Sequence, residues 1–166
     1  NDIGEVIWSI IGDAIRDAVA KYITEDYVAA NIAEWAKVNF DVALDPEDFR
    51  GYRKFEDIEP FVKDQANAEA TTTITATLAE FIGESTDDKT AWDTKGLQSW
   101  AMSRFQVQLS QAQIRAMDYE ELEKKLRSSA EEQIEKRDCA GILKYLEPLY
   151  AETEMANWAR EKFGVE

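Results

Sequence analysis

Paired carboxylates are the side chains of this sequence best suited to acid–base chemistry. They occur at Glu25-Asp26, Asp87-Asp88 and Glu131-Glu132. General acid–base catalysis needs at least one carboxyl group in an apolar setting that raises its pKa towards neutrality. None of the three pairs lies in an apolar stretch, so the pairs predict a solvated surface and not a catalytic dyad.

The only cysteine, Cys139, follows Lys136 and Arg137, two cationic side chains of the kind that lower a thiol pKa. The chain has no His, so neither this thiol nor any Ser or Thr hydroxyl has the usual base partner of a nucleophile. One cysteine and no His also exclude a disulfide framework and the common zinc sites. The sequence therefore predicts no catalytic, cofactor-binding or metal-ligating residue within these 166 residues, and a structural thiol at Cys139.

Asp87 and Asp88, with Asp93 nearby, are the best candidates for an oxygen-ligand calcium loop. A calcium loop also needs a central Gly and a terminal Glu at fixed spacing, and both are missing here. The segment from Gly83 to Lys89 is small and polar, which is typical of a solvated loop. We expect these carboxylates to face water.

Composition favours one all-α domain over residues 1–166. The chain is 45% hydrophobic and contains only seven Gly and three Pro, while residues that favour helices fill long stretches. With 34 acidic against 19 basic residues, the net charge is −15, which repels phosphate backbones and excludes nucleic acid as an expected partner. The most apolar window, 3–20, is interrupted by charges, so direct membrane insertion is not expected and the chain should be soluble.

Helical spacing of apolar residues places the elements that would carry any site. Asp118, with Glu121 three residues later, predicts a capping box, and Asp45-Pro46-Glu47 predicts a turn or a new helix start. Cys139-Ala140-Gly141 should interrupt the helix before it. Helices are predicted at about Ile3–Thr24, Tyr27–Asn39, Asp57–Ile82, Thr94–Ser103, Asp118–Ile134, Ile142–Tyr150 and Glu152–Lys162.

One motif occurs three times along the chain. It reads Trp-Ala, three residues, Phe, any residue, Val, and it starts at Trp35, Trp100 and Trp158. In the first two copies a Leu follows at the same offset, at Leu44 and Leu109. Recurrence of a Trp at one position of a repeat is typical of core packing and not of a ligand-facing surface.

A second landmark precedes each copy, an aromatic residue at the predicted carboxyl end of a helix. Tyr22 and Tyr145 each lie 13 residues before the next Trp, whereas Phe81 lies 19 residues before it. We therefore predict three related units, each a long helix plus a Trp-bearing helix, at about 3–54, 55–117 and 118–166. The structural repeat positions are Tyr22, Trp35, Phe40, Phe81, Trp100, Phe105, Tyr145, Trp158 and Phe163.

Both ends of the sequence are typical of a piece cut from a longer protein. The first residue is Asn1 and not Met, and the third copy of the motif stops at Glu166, where the other two copies would supply Leu. We expect the chain to be part of a larger protein.

Several segments resemble the helical scaffold and helical wing region of SecA, the ATP-driven motor of bacterial preprotein translocation. The segment from Trp158 to Val165 is similar to the entry of the wing, with its Phe-Gly-Val sequence. Asp118-Tyr119-Glu120-Glu121-Leu122 and the Glu-rich stretch from Ala130 to Lys136 are similar to the acidic helix of the wing. The first helix, Ile3–Ile23, corresponds in position to a scaffold helix.

The resemblance implies a non-catalytic scaffold that couples an ATPase core to preprotein and channel. ATP and Mg²⁺ would belong to the parent motor, because the chain has no Gly-rich phosphate loop and no acid pair after an apolar strand. The implied partners are proteins: other domains of the motor, the preprotein and a SecY-type channel. The implied location is cytoplasmic, with the parent peripherally associated with the inner membrane.

This sequence departs from the family pattern by showing three wing-like units where a typical member has one. The two-helix finger of the family is not recognisable either. A stand-alone helical-repeat adaptor, which would bind a partner protein in a groove between layers, is the main alternative. A small hydrolase ranks far below both.

Overall fold

The computed structural model describes residues 2–24, 26–51 and 54–165, and the regular structure in these ranges is entirely helical. The prediction of an all-α fold is therefore confirmed. Short 3-10 helices at Pro46–Phe49, Lys89–Ala91 and Ala140–Leu146 connect longer elements. The α-helices are α1 (Ile3–Tyr22), α2 (Asp26–Phe40), α3 (Phe55–Ile82), α4 (Thr94–Phe105), α5 (Gln111–Ala116), α6 (Tyr119–Lys136) and α7 (Tyr150–Phe163).

Local hydrogen bonds at the amino ends explain where several helices begin. The predicted capping box of α6 is present: the Asp118 carboxylate accepts from the Glu121 amide at 2.8 Å, and the Glu121 side chain accepts from the Asp118 amide. Ser110 and Gln113 form a second capping box in front of α5, a helix that the sequence patterns do not indicate. Such reciprocal caps satisfy amides that have no partner inside the helix.

The segment between α6 and α7 differs from its prediction. The break at Cys139 is confirmed, but the predicted helix over Ile142–Tyr150 is wrong, since a 3-10 helix ends at Leu146. The cause is Pro148, because a proline ring disfavours a helical conformation at the residue before it. Glu147 is accordingly extended, with ψ 140°. In the third predicted unit the long helix α6 ends at Lys136, and Tyr145 lies in the 3-10 helix that follows.

The chain forms two compact units. One comprises Asn1–Glu59 together with Cys139–Glu166, and the other comprises Pro60–Asp138. The predicted repeat boundaries concern sequence similarity and not compactness, so the three repeat units stay a prediction. Residues 52–53 and Glu166, which fall within the first and third predicted units, lie outside the described residues.

In the first unit α2 is the central element. It packs against the Pro46–Phe49 and Ala140–Leu146 3-10 helices and against α7, and α7 also packs against α1. Ile32, Phe49 and Ile142 are almost fully buried there. Burial of these side chains is the main stabilising contribution, since removing apolar area from water is worth roughly 25 cal/mol per Å².

In the second unit α3 and α6 lie side by side and run in opposite directions. The Lys63 ammonium donates to the Glu135 carbonyl at 2.9 Å, while Thr75 donates to Glu123 at 3.1 Å nearer the other end. Every fourth residue of each helix is buried. Side chains at this spacing form a row that interdigitates with a neighbouring helix when the two pack closely. The rows are Val62, Ala66, Ala70, Ile74, Leu78 and Ile82 on α3, and Leu122, Leu126, Ala130 and Ile134 on α6.

Truncation of Leu126 to Ala should destabilise the protein by about 2–5 kcal/mol, because the fully buried side chain leaves a cavity between tightly packed rows. Urea denaturation of the wild type and the variant measures this difference. Val38→Ala is the matched control: Val38 is 74% exposed, and its truncation should change the unfolding free energy by less than about 0.5 kcal/mol. Equal losses in the two variants would contradict the assigned core.

Candidate functional site

The three Trp motifs adopt the same local geometry. The Trp and Phe ring centroids are 5.8 Å apart for Trp35–Phe40, 5.4 Å for Trp100–Phe105 and 5.6 Å for Trp158–Phe163. Each Phe is the last residue of its helix, α2, α4 or α7. Residues five apart point to different sides of a straight helix, so the contact depends on the helix ending at the Phe.

The residue after each Phe has a left-handed backbone conformation. The φ angles are 53° at Asp41, 56° at Gln106 and 63° at Gly164. Each of these amides donates to the carbonyl four residues earlier, at 2.9–3.0 Å. This is a common helix termination in which Gly is favoured, yet only the third copy has Gly. Asp adopts this conformation more often than most residues, so Asp41 gives a weak signal and Gln106 gives none.

The Val that ends each copy of the motif is buried to a different extent. Val42 is 3% exposed and Val107 is 7% exposed, whereas Val165 is 53% exposed. The Trp rings at 35, 100 and 158 are all half-buried. The rings therefore lie at the edge of the apolar interior, where each contacts the ring of the Phe in its own motif.

Two of the aromatic residues that precede the Trp motifs, Tyr22 and Tyr145, form a tyrosine cluster with Tyr27 and Tyr150 in the first unit. Tyr22 contacts Tyr27 at 5.0 Å, Tyr145 contacts Tyr150 at 5.3 Å, and Tyr27 stacks on Tyr150 at 6.2 Å between ring centroids. The two pairs are offset by 123 residues in the chain. In the second unit Phe81 contacts Trp100 directly, at 6.2 Å.

The indole of Trp35 lies directly against the backbone of Gly141. A Cβ at position 141 would come within 2.6 Å of Trp35 Nε1 and 3.1 Å of Trp35 Cε2. Only Gly allows this approach, because real Cβ contacts are longer. The Ala140–Leu146 3-10 helix can therefore pack this closely on α2 only because Gly141 has no side chain.

Burial and nearby charge raise the pKa of two tyrosines of the cluster, Tyr27 and Tyr150. Burial, followed by the Glu154 carboxylate and the hydroxyls of Tyr27 and Tyr145, raises the pKa of Tyr150 from 10.0 to about 12. Burial also raises the pKa of Tyr27, although its hydrogen bond with Asn31 acts in the opposite direction. Tyr27 and Tyr150 are therefore neutral at physiological pH, so they can pack and donate hydrogen bonds but supply no base.

The predicted carboxylates have surface and capping roles in the structure. Both oxygens of Asp26 accept from Arg50 at 2.9 Å, which lowers the Asp26 pKa, while its predicted neighbour Glu25 lies outside the described residues. Glu132 is paired with Lys136, which lowers the Glu132 pKa. Asp88 caps the Lys89–Ala91 3-10 helix and Asp93 caps α4.

No described group of three or more acidic, Cys or His side chains is arranged to hold a metal ion. The Cys139 side chain is 1% exposed. Within residues 2–24, 26–51 and 54–165, no helix combines the length and the apolar character required to cross a membrane.

An open cavity of about 680 Å³ in the second unit is lined by uncharged polar groups and a few apolar ones. Its polar lining residues are Gln98, Ser99, Gln108, Ser110 and Gln113, of which Ser110 and Gln113 also form the capping box of α5. The sequence signal is the run from Phe105 to Ile114, which contains no charged residue in a chain that is 32% charged. Amide groups of this kind pair with neutral hydrogen-bonding partners such as peptide backbone.

Replacement of Gly141 by Ala should lower the unfolding free energy by about 1–3 kcal/mol, since the new methyl group overlaps the Trp35 indole. Thermal or urea denaturation measures the loss. Gly12→Ala in α1 is the matched control, because the nearest atom is 3.8 Å from its Cβ. That change should stabilise the helix by roughly 0.5–1 kcal/mol. A neutral Gly141→Ala variant would show that the indole moves aside freely.

Stability should fall as pH rises above 10, because the unfolded chain then releases a Tyr150 proton that the folded chain retains up to about pH 12. The contribution is complete below pH 10 and is lost as the pH rises through 12. Urea denaturation between pH 9 and 11.5 measures this slope. Tyr150→Phe keeps the ring and removes the proton, so its slope should be shallower than that of the wild type. Identical slopes would refute the assignment.

Comparison with known proteins gives one informative similarity. The chain is 27% identical over 162 residues to the protein translocase subunit SecA 1 of Rhodopirellula baltica. The match covers 98% of this chain and 13% of that protein's length. No protein-family profile matches the chain, and no solved structure matches it. Nearly all of this helical chain is thus similar to a limited region of a SecA protein.

Proposed function

We propose that the chain is a non-catalytic helical scaffold or wing segment of a SecA-like protein translocation motor. The observation that carries this proposal is the similarity to SecA 1, which extends over 98% of the chain instead of one short motif. The all-helical architecture is compatible with the scaffold and wing resemblance. In this role the segment couples an ATPase core, carried elsewhere in the longer protein, to preprotein and channel.

Long, well-packed helices suit such a coupling role. In the second unit α3 comprises residues 60–82, which are 23 residues of helix and correspond to a length of about 35 Å. The buried row of α3 includes small Ala side chains at positions 66 and 70. Small side chains allow a neighbouring helix to pack closely. Packed helices of this kind move as rigid elements, so a displacement at one end is carried to the other.

Repetition of a wing-like unit is part of the same proposal. Three features support it: the recurring Trp–Phe ring contact, the left-handed residue after each Phe, and the hydrogen bond from that residue to the carbonyl four residues earlier. A sequence motif that recurs with its backbone geometry is better explained by duplication than by composition. The units proposed remain about 3–54, 55–117 and 118–166.

Protein partners follow from the same relation. The proposed partners are the remaining domains of the motor, the preprotein and a SecY-type channel, while ATP and Mg²⁺ bind outside this segment. The proposed location is the cytoplasm, with the parent protein peripherally associated with the inner membrane. A net charge of −15 argues against nucleic acid as a partner.

A stand-alone helical adaptor is the second candidate function. The observation that favours it is the uncharged cavity lined by Gln98, Gln108 and Gln113, since an adaptor needs a recognition surface of its own. The coding sequence around these residues distinguishes the two candidates. A continuous upstream reading frame with a phosphate-binding loop supports the motor, and flanking start and stop codons support the adaptor.

A segment exchange tests the motor proposal directly. The chain should replace the matching 162-residue region of Rhodopirellula baltica SecA 1 with retention of ATP-dependent protein translocation into membrane vesicles. Deletion of that region should abolish translocation, because the coupling element is then absent. A designed helical bundle of equal length is the control insert and should behave like the deletion.

Two outcomes would contradict the proposal. One is a chimera that translocates no better than the deletion while both still hydrolyse ATP. The other is saturable binding of ATP·Mg²⁺ to the isolated chain in calorimetry, which would place nucleotide chemistry inside the segment.

A further inference from the structure

Helix α1 carries one apolar stripe that is covered at its carboxyl end and exposed at its amino end. Ala18 and Tyr22 are buried, at 5% and 9% exposure. Ile11, two turns before Ala18, is half-buried. Ile7 is 49% exposed and Ile3 is 79% exposed. Since these residues follow three- and four-residue helical spacing, the surface buried by the α1–α7 packing continues for two more turns as an exposed surface.

The exposed part forms the α1 apolar patch, which we define as Ile3, Val6, Ile7 and Ile10. Their exposures range from 49% at Ile7 to 79% at Ile3. Three- and four-residue spacing places these four side chains on one side of the helix. Isolated apolar side chains are normal on protein surfaces, but contiguous ones mark interaction sites.

The charged residues in the first three turns of α1 are acidic. Asp13, three residues after Ile10, lies at the edge of the patch, whereas Glu5 lies on the opposite side of the helix. The first basic residue in the chain, Arg16, is paired with Asp13 at 2.6 Å. A second copy of this chain would bring a further charge of −15, which opposes self-association. Anionic lipid headgroups are repelled for the same reason. Charge therefore selects a partner with basic residues around its own apolar surface.

We propose that the α1 apolar patch docks an amphipathic α-helix of a partner protein whose apolar stripe is flanked by Lys or Arg. The geometry follows from continuity with the existing interface, because the adjoining part of the stripe is already covered by a helix, α7. A helix lying along the patch would bury Ile3, Ile7 and Ile10 while its basic side chains reach Asp13. This inference rests on the surface alone and not on the relation to SecA.

Synthetic helices of about 18 residues, stabilised by helix-favouring residues, provide the probe. One peptide carries a Leu stripe flanked by Lys, and its matched partner carries Glu at the same flanking positions. The Lys peptide should bind the full chain saturably in calorimetry. The Glu peptide should bind at least about 10-fold more weakly, because the flanking charges then repel.

Substitutions on the protein locate the site. The double variant Ile7→Ser/Ile10→Ser should bind the Lys peptide at least about 10-fold more weakly, as expected for loss of two central apolar contacts. Val38→Ser is the matched control, since Val38 is 74% exposed on α2, and its affinity should stay within about twofold of wild type. Circular dichroism verifies that each variant retains its helices.

Four results would overturn the inference. They are no saturable binding of the Lys peptide, equal affinity for the Lys and Glu peptides, equal weakening by the double variant and by Val38→Ser, and a different occupant of the patch. That last result would appear as a dimer in sedimentation equilibrium, or as cosedimentation with anionic vesicles, that Ile7→Ser/Ile10→Ser abolishes. Failure of the SecA segment exchange would leave the peptide result intact, so the two proposals fail independently.

Discussion

The contact between a Trp ring and a Phe ring five residues later imposes the main constraint on this chain. Such a pair cannot meet on a continuing helix, so the helix must end at the Phe and the next residue must turn into the left-handed region. This happens after Phe40, Phe105 and Phe163 alike. In the first two copies the turn directs Val42 and Val107 back into the apolar interior. Helix length, exit direction and burial thus follow from one aromatic contact.

Patterns confined to neighbouring residues could be predicted from the sequence. The capping box of Asp118 and Glu121 and the period of α3 depend on contacts within one helix, and both are present. Helix α5 could not be predicted as easily, because six residues give too little periodicity. The left-handed conformation has only a weak residue signal at Asp41 and none at Gln106, since surrounding packing imposes what Gly would otherwise allow.

Features that depend on contacts between distant parts of the chain could not be predicted from sequence patterns. The apolar spacing of α1 predicts a buried face, but whether Ile3 and Ile7 are covered depends on where α7 ends. The stacking of Tyr27 on Tyr150 and the approach of Gly141 to Trp35 join residues more than 100 positions apart. The uncharged cavity could be predicted only in part. The uncharged run from Phe105 to Ile114 is visible in the sequence, whereas the position of the α4 residues around the cavity is not.

The unequal burial of the three Trp motifs has a consequence for local opening. Ala36 and Ala101 are fully buried, but Ala159, at the same motif position, is only half-buried, and no residue of α7 is fully buried. Segments with few buried contacts open at the lowest free energy. Backbone amides of α7 should therefore exchange with deuterated solvent well before those of α2 or α4. Repetition of a motif in sequence does not give its copies equal thermodynamic protection.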